Sequence, residues 1–161
     1  MLTNANRSKS LEICKNLYIQ EKELNFEQRL GQGTFGTVWK CSYKDTVVAY
    51  KKVTNSVEEE AAILNSLRHK NIINHIGIVH DPPNFGLILE FASGGSLQEL
   101  IHKKSIEIHD EKRNHWIGDI VDGMIYLHYN APITILHRDL KPANVLLTSM
   151  QTILDVHNII T

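Results

Sequence analysis

The sequence predicts an α+β chain in two parts, a small antiparallel sheet of five strands carrying one helix, followed by a mainly helical part. Three observations predict this. Between Phe26 and Phe91 the chain is a succession of short β-rich runs joined by tight turns, interrupted once by a segment of helical spacing. Ser93-Gly94-Gly95 then breaks the strand pattern. Beyond it the strongest periodicity is helical, above all over residues 112–129. Two lobes with a hinge near Glu90–Ser93 follow from that order.

Each element has a local reason. Residues 1–24 are polar and weakly patterned, with a short helix suggested over Leu11–Tyr18, and read as a loosely packed N-terminal extension. Phe26–Leu30 is a strand leading into a glycine-rich turn, Gly31-Gln32-Gly33-Thr34-Phe35-Gly36. Thr37–Tyr43 alternates as a strand should, Lys44-Asp45 turns it back, and Thr46–Val53 is a further β-rich run, so the three make an antiparallel meander. Ser56-Val57-Glu58-Glu59 matches a capping box, and the helix after it sets Val57, Ala61, Leu64 and Leu67 on one face. Strands at Ile76–His80 and Gly86–Phe91 flank the turn Asp81-Pro82-Pro83-Asn84. Ser96 caps a short helix carrying Leu97, Leu100 and Ile101. Over residues 112–129, Trp116, Ile117, Ile120, Val121, Met124 and Leu127 draw a wide apolar stripe, a face large enough to promote aggregation or partner binding where it is left uncovered.

Composition narrows the function classes. The 161 residues hold 17 basic and 18 acidic side chains, a formal charge of −1, with 42% hydrophobic residues. That balance gives neither the basic surplus of a nucleic-acid binder nor a polybasic membrane motif. No window is long and apolar enough for a membrane span, and the N-terminus lacks the apolar core of a secretory signal. Cys14 and Cys41 are far apart and outside any CxxC pair, which fits a reduced, cytoplasmic chain. The nine histidines show no HExxH or Cys/His ligand spacing, so no zinc site is expected.

The chemistry sits in four places. Gly31, Gly33 and Gly36 have GxGxxG spacing, which lets backbone N–H groups approach phosphate oxygens where no Cβ intervenes. A dinucleotide-binding turn shares this spacing, but it would open a helix at the third glycine, whereas here a Val/Trp/Tyr-rich strand follows. A glycine-rich hairpin without a ligand is the plainer alternative. In Val48-Ala49-Tyr50-Lys51, period two puts Ala49 and Lys51 on one face, opposite Tyr50. Ala49 leaves room for a flat base and Lys51 offers a cation to phosphates, while Lys52 points the other way. A surface lysine with an apolar stem is the alternative there. The carboxylate to hold Lys51 is Glu60, which lies beside the buried stripe; Glu58 and Glu59 compete for that role and are read as solvated. Most specific is His137-Arg138-Asp139-Leu140-Lys141-Pro142-Ala143-Asn144: Asp139 can accept the proton of an attacking hydroxyl, Lys141 can neutralise a transferring phosphoryl group, and Asn144 can ligate magnesium.

On these motifs the chain resembles the eukaryotic protein kinases from about Phe26 to Leu147, and Lys141-Pro142-Ala143-Asn144 is similar to the serine/threonine form of the catalytic loop. Leu67-Arg68-His69-Lys70-Asn71-Ile72-Ile73, Pro82-Pro83-Asn84-Phe85-Gly86, Glu90–Leu97 and Tyr126-Leu127-His128 resemble the mixed-lineage and TAK-type MAP kinase kinase kinases. The resemblance implies a bilobal kinase-like fold, with 1–24 as extension and 25–161 as a partial kinase domain (25–91 N-lobe, 92–95 hinge, 96–161 partial C-lobe). It implies ATP and Mg2+ as cofactors and a protein substrate, of which a MAP kinase kinase would be one. Gly31, Gly33 and Gly36, with Thr34 and Phe35 between them, would cover the phosphates, and Lys51 paired with Glu60 would hold them. Val38, Ala49 and Leu146 would sandwich the adenine, Leu89 would be the gatekeeper, and Glu90 and Ala92 would offer hinge backbone to the base. Asp139, Lys141 and Asn144 would be catalytic, Asn144 also binding metal, and Lys51, Glu60 and Asp139 are expected to converge around one cleft.

The chain departs from the family pattern at its end. Where the family carries Asp-Phe-Gly, aligning Thr152-Ile153-Leu154 with the preceding strand puts Asn158-Ile159-Ile160 at the motif; a loop shorter by one residue puts His157 there, and Asp155 reaches it only by a larger slip. The expectation is a domain truncated before the activation loop, its ending diverted by an alternative exon or mis-splicing. Two functions follow: a serine/threonine kinase represented by an incomplete chain, or an inactive truncated isoform or pseudokinase that binds nucleotide or a partner, the latter over the uncovered face of helix 112–129.

Overall fold

The computed structural model describes residues 17–33, 36–53, 57–103, 107–148 and 152–154. The expected helix over Leu11–Tyr18, the Ser56 cap, Thr34, Phe35, Cys14 and the segment 155–161 fall wholly or mainly outside them. The chain divides into two compact units. The described parts of Met1–Asn65 and Asn74–Phe91 form the first, and those of Ser66–Ile73 and Ala92–Thr161 form the second.

The first unit is a five-stranded antiparallel sheet in the order β1-β2-β3-β5-β4, as the short β-rich runs predict. Its strands are β1 (Asn25–Gly33), β2 (Gly36–Tyr43), β3 (Thr46–Val53), β4 (His75–Asp81) and β5 (Asn84–Glu90), with helix α1 (Glu58–Ser66) crossing from β3 towards β4. Lys44 and Asp45 take positive φ of 44° and 63°. Both central residues of a two-residue hairpin do so when its twist matches the strands. The glycine run is less a separate turn than the tip of a hairpin: Gly31 pairs with Val38 and Gly33 with Gly36, leaving two residues between.

Ladder register assigns each side chain to a face. Val38 pairs with Lys51, Lys51 with Leu87, and Ala49 with Leu89. Directly paired residues share a face, so Val38, Ala49, Lys51, Leu87 and Leu89 line one side. The other side carries Cys41, Val48, Tyr50, Val79 and Ile88, which form a buried cluster with Ile19 and Leu24.

That last contact corrects one expectation. Residues 17–24 do not hang loosely, because Ile19 and Leu24 are only 7% and 5% exposed and close the second face. The Ile19 N–H donates to the Ile78 carbonyl at 2.9 Å. A 3-10 turn at Glu21–Glu23 turns the Glu21 amide to Asp81 at 2.8 Å, and its carboxylate accepts from the Tyr50 hydroxyl and the Asn84 amide. A sheet with one bare apolar face would expose the whole cluster, and each large side chain removed from water contributes about 1.5–3 kcal/mol.

The second unit holds α2 (Leu97–His102), α3 (Asp110–Ile125) continuing into a π-type turn at Tyr126–Asn130, a 3-10 turn at Pro142–Asn144, and a small hairpin of β6 (Val145–Leu147) and β7 (Thr152–Leu154). Ser96 caps α2 as expected, in a reciprocal box with Glu99. The buried side of α3 is offset from its apolar stripe. Trp116, Asp119, Gly123 and, in the following turn, Leu127 are buried, while Ile117 and Val121 are 58% and 49% exposed. The cause is polar: the Asp119 carboxylate accepts from the Thr152 amide at 2.9 Å and from its hydroxyl at 3.0 Å, which draws that side of the helix onto β7.

Candidate active site

In the first unit, Lys51 stands on a central strand and is 7% exposed. Its Nζ lies 3.9 Å from Glu60 Oε1, so the structure brings this predicted pair together. The separation exceeds hydrogen-bond length, and Glu60 Oε1 has no hydrogen-bond partner among the described residues. Burial pushes the Lys51 ammonium below its usual range and Glu60 above the usual carboxylate range, with their mutual attraction opposing both shifts. A buried cation and anion held just out of contact leave the ammonium's donors unspent on the carboxylate.

Above the same face, the glycines differ in why they are glycines. Gly36 has φ +127°, and a Cβ there would collide with the Lys52 carbonyl, so the hairpin itself demands it. Gly31 has no such need: a Cβ would meet nothing within 4 Å. Its partner Val38 lies on the Lys51 face, so the backbone over that face is left bare with space in front of it. Leu89 is buried, and the Glu90 N–H is already donated to the Asn74 carbonyl at 3.0 Å.

Glu58 was expected to be solvated and is not. It is 7% exposed, and its Oε1 lies 2.5 Å from His80 Nδ1 on β4, a close approach without hydrogen-bond geometry. No local pattern signals a partnership between residues so far apart in the chain.

In the second unit the segment around Asp139 alternates strictly, with Ile135 and His137 buried and Leu136 and Arg138 exposed. Arg138 has φ 55°, and the Asp139 N–H donates to the His137 carbonyl at 2.7 Å. That bond spans three residues with a positive central φ, a strained turn that persists only where its surroundings impose it. It leaves His137 inside, where burial holds its ring below the usual histidine range, and presents Asp139 outward. The Asp139 Oδ2 accepts from Lys141 Nζ at 2.8 Å and from Asn144 Nδ2 at 2.8 Å. The Lys141 contact, then the Asn144 one, hold its carboxyl below the ordinary aspartate value. Asn144 Nδ2 also donates to the Asp139 carbonyl at 2.7 Å, so the amide nitrogen is committed to Asp139 and Oδ1 is the atom turned to other ligands. Leu146 is half-buried on β6, and the Ala92 carbonyl accepts from Gly95 N–H at 3.2 Å. Thr34 and Phe35 lie outside the described residues.

A second polar cluster escaped the sequence reading. Asp119 is 4% exposed; burial would raise its pKa, yet the Thr152 amide and hydroxyl, aided by Asn71 and His115, hold it below the usual value. Lys70 lies 3.9 Å from Asp119 and 3.5 Å from Asp122. The His69 ring stacks on Tyr126, whose hydroxyl accepts from the Arg68 N–H at 2.8 Å. The available signal was Asp119 itself, placed at helical spacing between Trp116 and Gly123 on the inward side of α3.

No helix among the described residues is long and apolar enough to cross a membrane. Comparison with known proteins agrees with the motifs. The family described as "Protein kinase domain" matches residues 24–156. The serine/threonine-protein kinase CTR1 of Arabidopsis thaliana is 35% identical over 81% of this chain and 17% of its own length. Mitogen-activated protein kinase kinase kinase 7 of Drosophila melanogaster is 34% identical over 87% of this chain and 22% of its own. Mitogen-activated protein kinase kinase kinase 10 of Xenopus laevis is 36% identical over 81% of this chain and 14% of its own. The chain thus spans less than a quarter of the length of each of these relatives. With most of its length matched and the strand-borne lysine, its helix carboxylate and the Asp139 loop in place, the chain belongs to the protein kinase domain family, with serine/threonine kinases, MAP kinase kinase kinases among them, as its relatives.

Proposed function

We propose that this chain is the nucleotide-handling portion of a serine/threonine kinase of the MAP kinase kinase kinase kind, directing the γ-phosphate of MgATP to a protein hydroxyl, with a MAP kinase kinase as the substrate class. The observation that carries this reading is the Lys51–Glu60 pair on the face bared by Gly31. Domain limits of 25–91, 92–95 and 96–161 go with it.

The residues fit the group they would hold. The open space at Gly31 is what a phosphate chain under a bare backbone requires, and the Asn144 amide, with its nitrogen committed to Asp139, turns an oxygen to a hard cation. Magnesium, when bound, neutralises charge developing on the phosphate oxygens. Lys51 would hold the α/β-phosphates, kept in register by Glu60. Val38, Ala49 and Leu146 would bracket the base, Leu89 would limit the depth of its site, and the Glu90 carbonyl and Ala92 N–H would meet its edge. Asp139, ionised by Lys141 and Asn144, would orient the attacking hydroxyl and take its proton, and Lys141 would then face the transferring group.

One observation favours the second reading, a nucleotide- or partner-binding module with little turnover: the family's magnesium-binding Asp-Phe-Gly position falls on Asn158-Ile159-Ile160 if Thr152-Ile153-Leu154 aligns with the preceding strand, on His157 if the loop is shorter by one residue, and on Asp155 only by a larger slip. A neutral amide is a weaker magnesium ligand than a carboxylate, and losing one charge-stabilising contact slows such reactions by about 10²–10³-fold. The full chain, assayed for MgATP binding and for γ-phosphate transfer to a protein acceptor, separates the two. Binding that Lys51→Met weakens, with transfer near background, is expected. Strong transfer abolished by Asp139→Asn would establish the active kinase instead, and absence of binding would overturn the kinase reading and leave only the partner-binding form of the second.

A further inference from the structure

We infer that Gly94 is a positioning residue for the base end of the nucleotide site, locking Ala92 and Leu146 to one another through the backbone; this rests on the nucleotide-binding reading above. The segment after β5 first makes a tight turn, in which the Gly95 N–H donates to the Ala92 carbonyl at 3.2 Å with Ser93 and Gly94 between them. It then runs along β6. The Gly94 N–H donates to the Leu147 carbonyl at 2.8 Å, the Leu147 N–H donates to the Gly95 carbonyl at 2.8 Å, and Ser96 forms an antiparallel bridge with Leu146. Gly94 and Gly95 thus oppose the single residue Leu147, the two-against-one count of a bulge. On its other edge β6 pairs with β7, Leu146 opposite Ile153. Val145 and Leu147 are buried and Leu146 is half-buried, so the strand turns Leu146 to the opposite face.

The two segments can approach this closely only because residue 94 has no Cβ. A Cβ there would stand 2.8 Å from the Leu147 Cβ and 2.8 Å from the Leu147 carbonyl oxygen, whereas non-bonded carbons rest about 3.5–4.0 Å apart. Neither atom is the far end of a flexible side chain, so neither can swing aside. Any side chain at 94 must therefore part the turn from β6 and stretch the bonds to Leu147. Gly95 is glycine for a different reason: its φ is +72°, and a Cβ would meet the Glu99 carboxylate that accepts from the Ser96 N–H. Position 94 is thus where the spacing between the turn and β6 is set. On that spacing depend the Ala92 N–H, offered to the edge of the base, and the Leu146 side chain, which would lie against its face.

The test uses the full chain, with trinitrophenyl-ATP and Mg2+ as probe, adenosine and inorganic tripolyphosphate as competitors, and amide hydrogen exchange at Leu147. A loosened base end weakens adenosine and spares tripolyphosphate, a split that general destabilisation does not produce. In Gly94→Ala, adenosine should compete about three- to tenfold less well, tripolyphosphate should stay within about twofold of the parent, and the Leu147 amide should exchange faster. The adenosine loss should shrink in a Leu146→Ala background, because both changes act on one contact. Should Gly94→Ala not fold, the parent carries the test: its Leu147 amide should be protected, and saturating adenosine should slow that exchange by a further factor of about three or more. Parental adenosine affinity in Gly94→Ala, an equal loss for both competitors, or a Leu147 amide that exchanges freely in the parent would overturn the inference. A parent chain that binds no probe, or binds it regardless of Lys51→Met, would instead sink the nucleotide reading, while Leu147 exchange would still report whether Gly94 holds β6.

Discussion

Lys51 and Glu60 sit 3.9 Å apart with side-chain exposures of 9% and 29%, a pair formed across a strand and a helix yet not in hydrogen-bond contact. Burial works against both charges, and only their attraction keeps them ionised together. A third, polyanionic group would complete the arrangement, because it engages the free donors of the lysine.

The pair gives a pH prediction. Glu60 binds its proton more readily in the folded chain than when unfolded. Its linkage term therefore favours the fold below the ordinary carboxylate value and is lost as pH rises through the raised one. Lys51, shifted the opposite way, adds a term that grows as pH rises towards the ordinary lysine value. Glu60→Gln should remove the Glu60 term, so that stability falls more steeply towards acid than in the parent, and leave an alkaline slope. Melting temperature against pH for parent and variant measures this, and an unchanged acid limb would contradict it.

Around Asp139 the order of causes is testable directly. Lys141→Ala should raise the Asp139 carboxyl towards the ordinary aspartate value, and Asn144→Ala should raise it less. Carbon-detected NMR titration of the aspartate side chains reads both shifts. A larger effect from Asn144 would reverse the assignment.

Asp119 and Thr152 tie α3 to β7 through two hydrogen bonds to one carboxylate oxygen. Thr152→Val removes the hydroxyl and should cost about 1–2 kcal/mol, whereas Asp119→Ala also strands a buried amide and should cost about 2–4 kcal/mol. Because the Asp119 pKa is depressed, this stability is present above the ordinary aspartate value and is lost as pH falls through the folded one. Urea denaturation at neutral and acid pH tests both size and sign.

The clasp of residues 17–24 should behave as core. Ile19→Ala is expected to cost about 2–4 kcal/mol, and Tyr50→Phe, which removes a bond to Glu21, about 1 kcal/mol. Denaturation midpoints of the full-length variants measure these costs, and a neutral Ile19→Ala would show that the contact is dispensable.

On α3, Ile117 and Val121 face solvent. Ile117→Glu with Val121→Glu should alter stability by no more than about 0.5 kcal/mol per site while lowering self-association, read by sedimentation. A large loss of stability would place that face in the core.

Much of this was legible in the chain because it depends on residues close in sequence. The strand meander followed from period-two alternation and turn residues, Ala49 and Lys51 shared a face because strands alternate, and Val57, Ala61 and Leu64 shared a seam because helices repeat every 3.6 residues. The Asp139 loop was readable because its chemistry is written in consecutive positions. Tertiary structure alone decided the pairings between distant elements. It buried Glu58 against His80, closed the second sheet face with Ile19 and Leu24, and turned Asp119 rather than Ile117 inward once Thr152 supplied its hydrogen bonds. Local periodicity reports which side of an element is apolar. It does not report where a polar group will find its partner, and the cost of leaving such a group unpaired is what set these rotations.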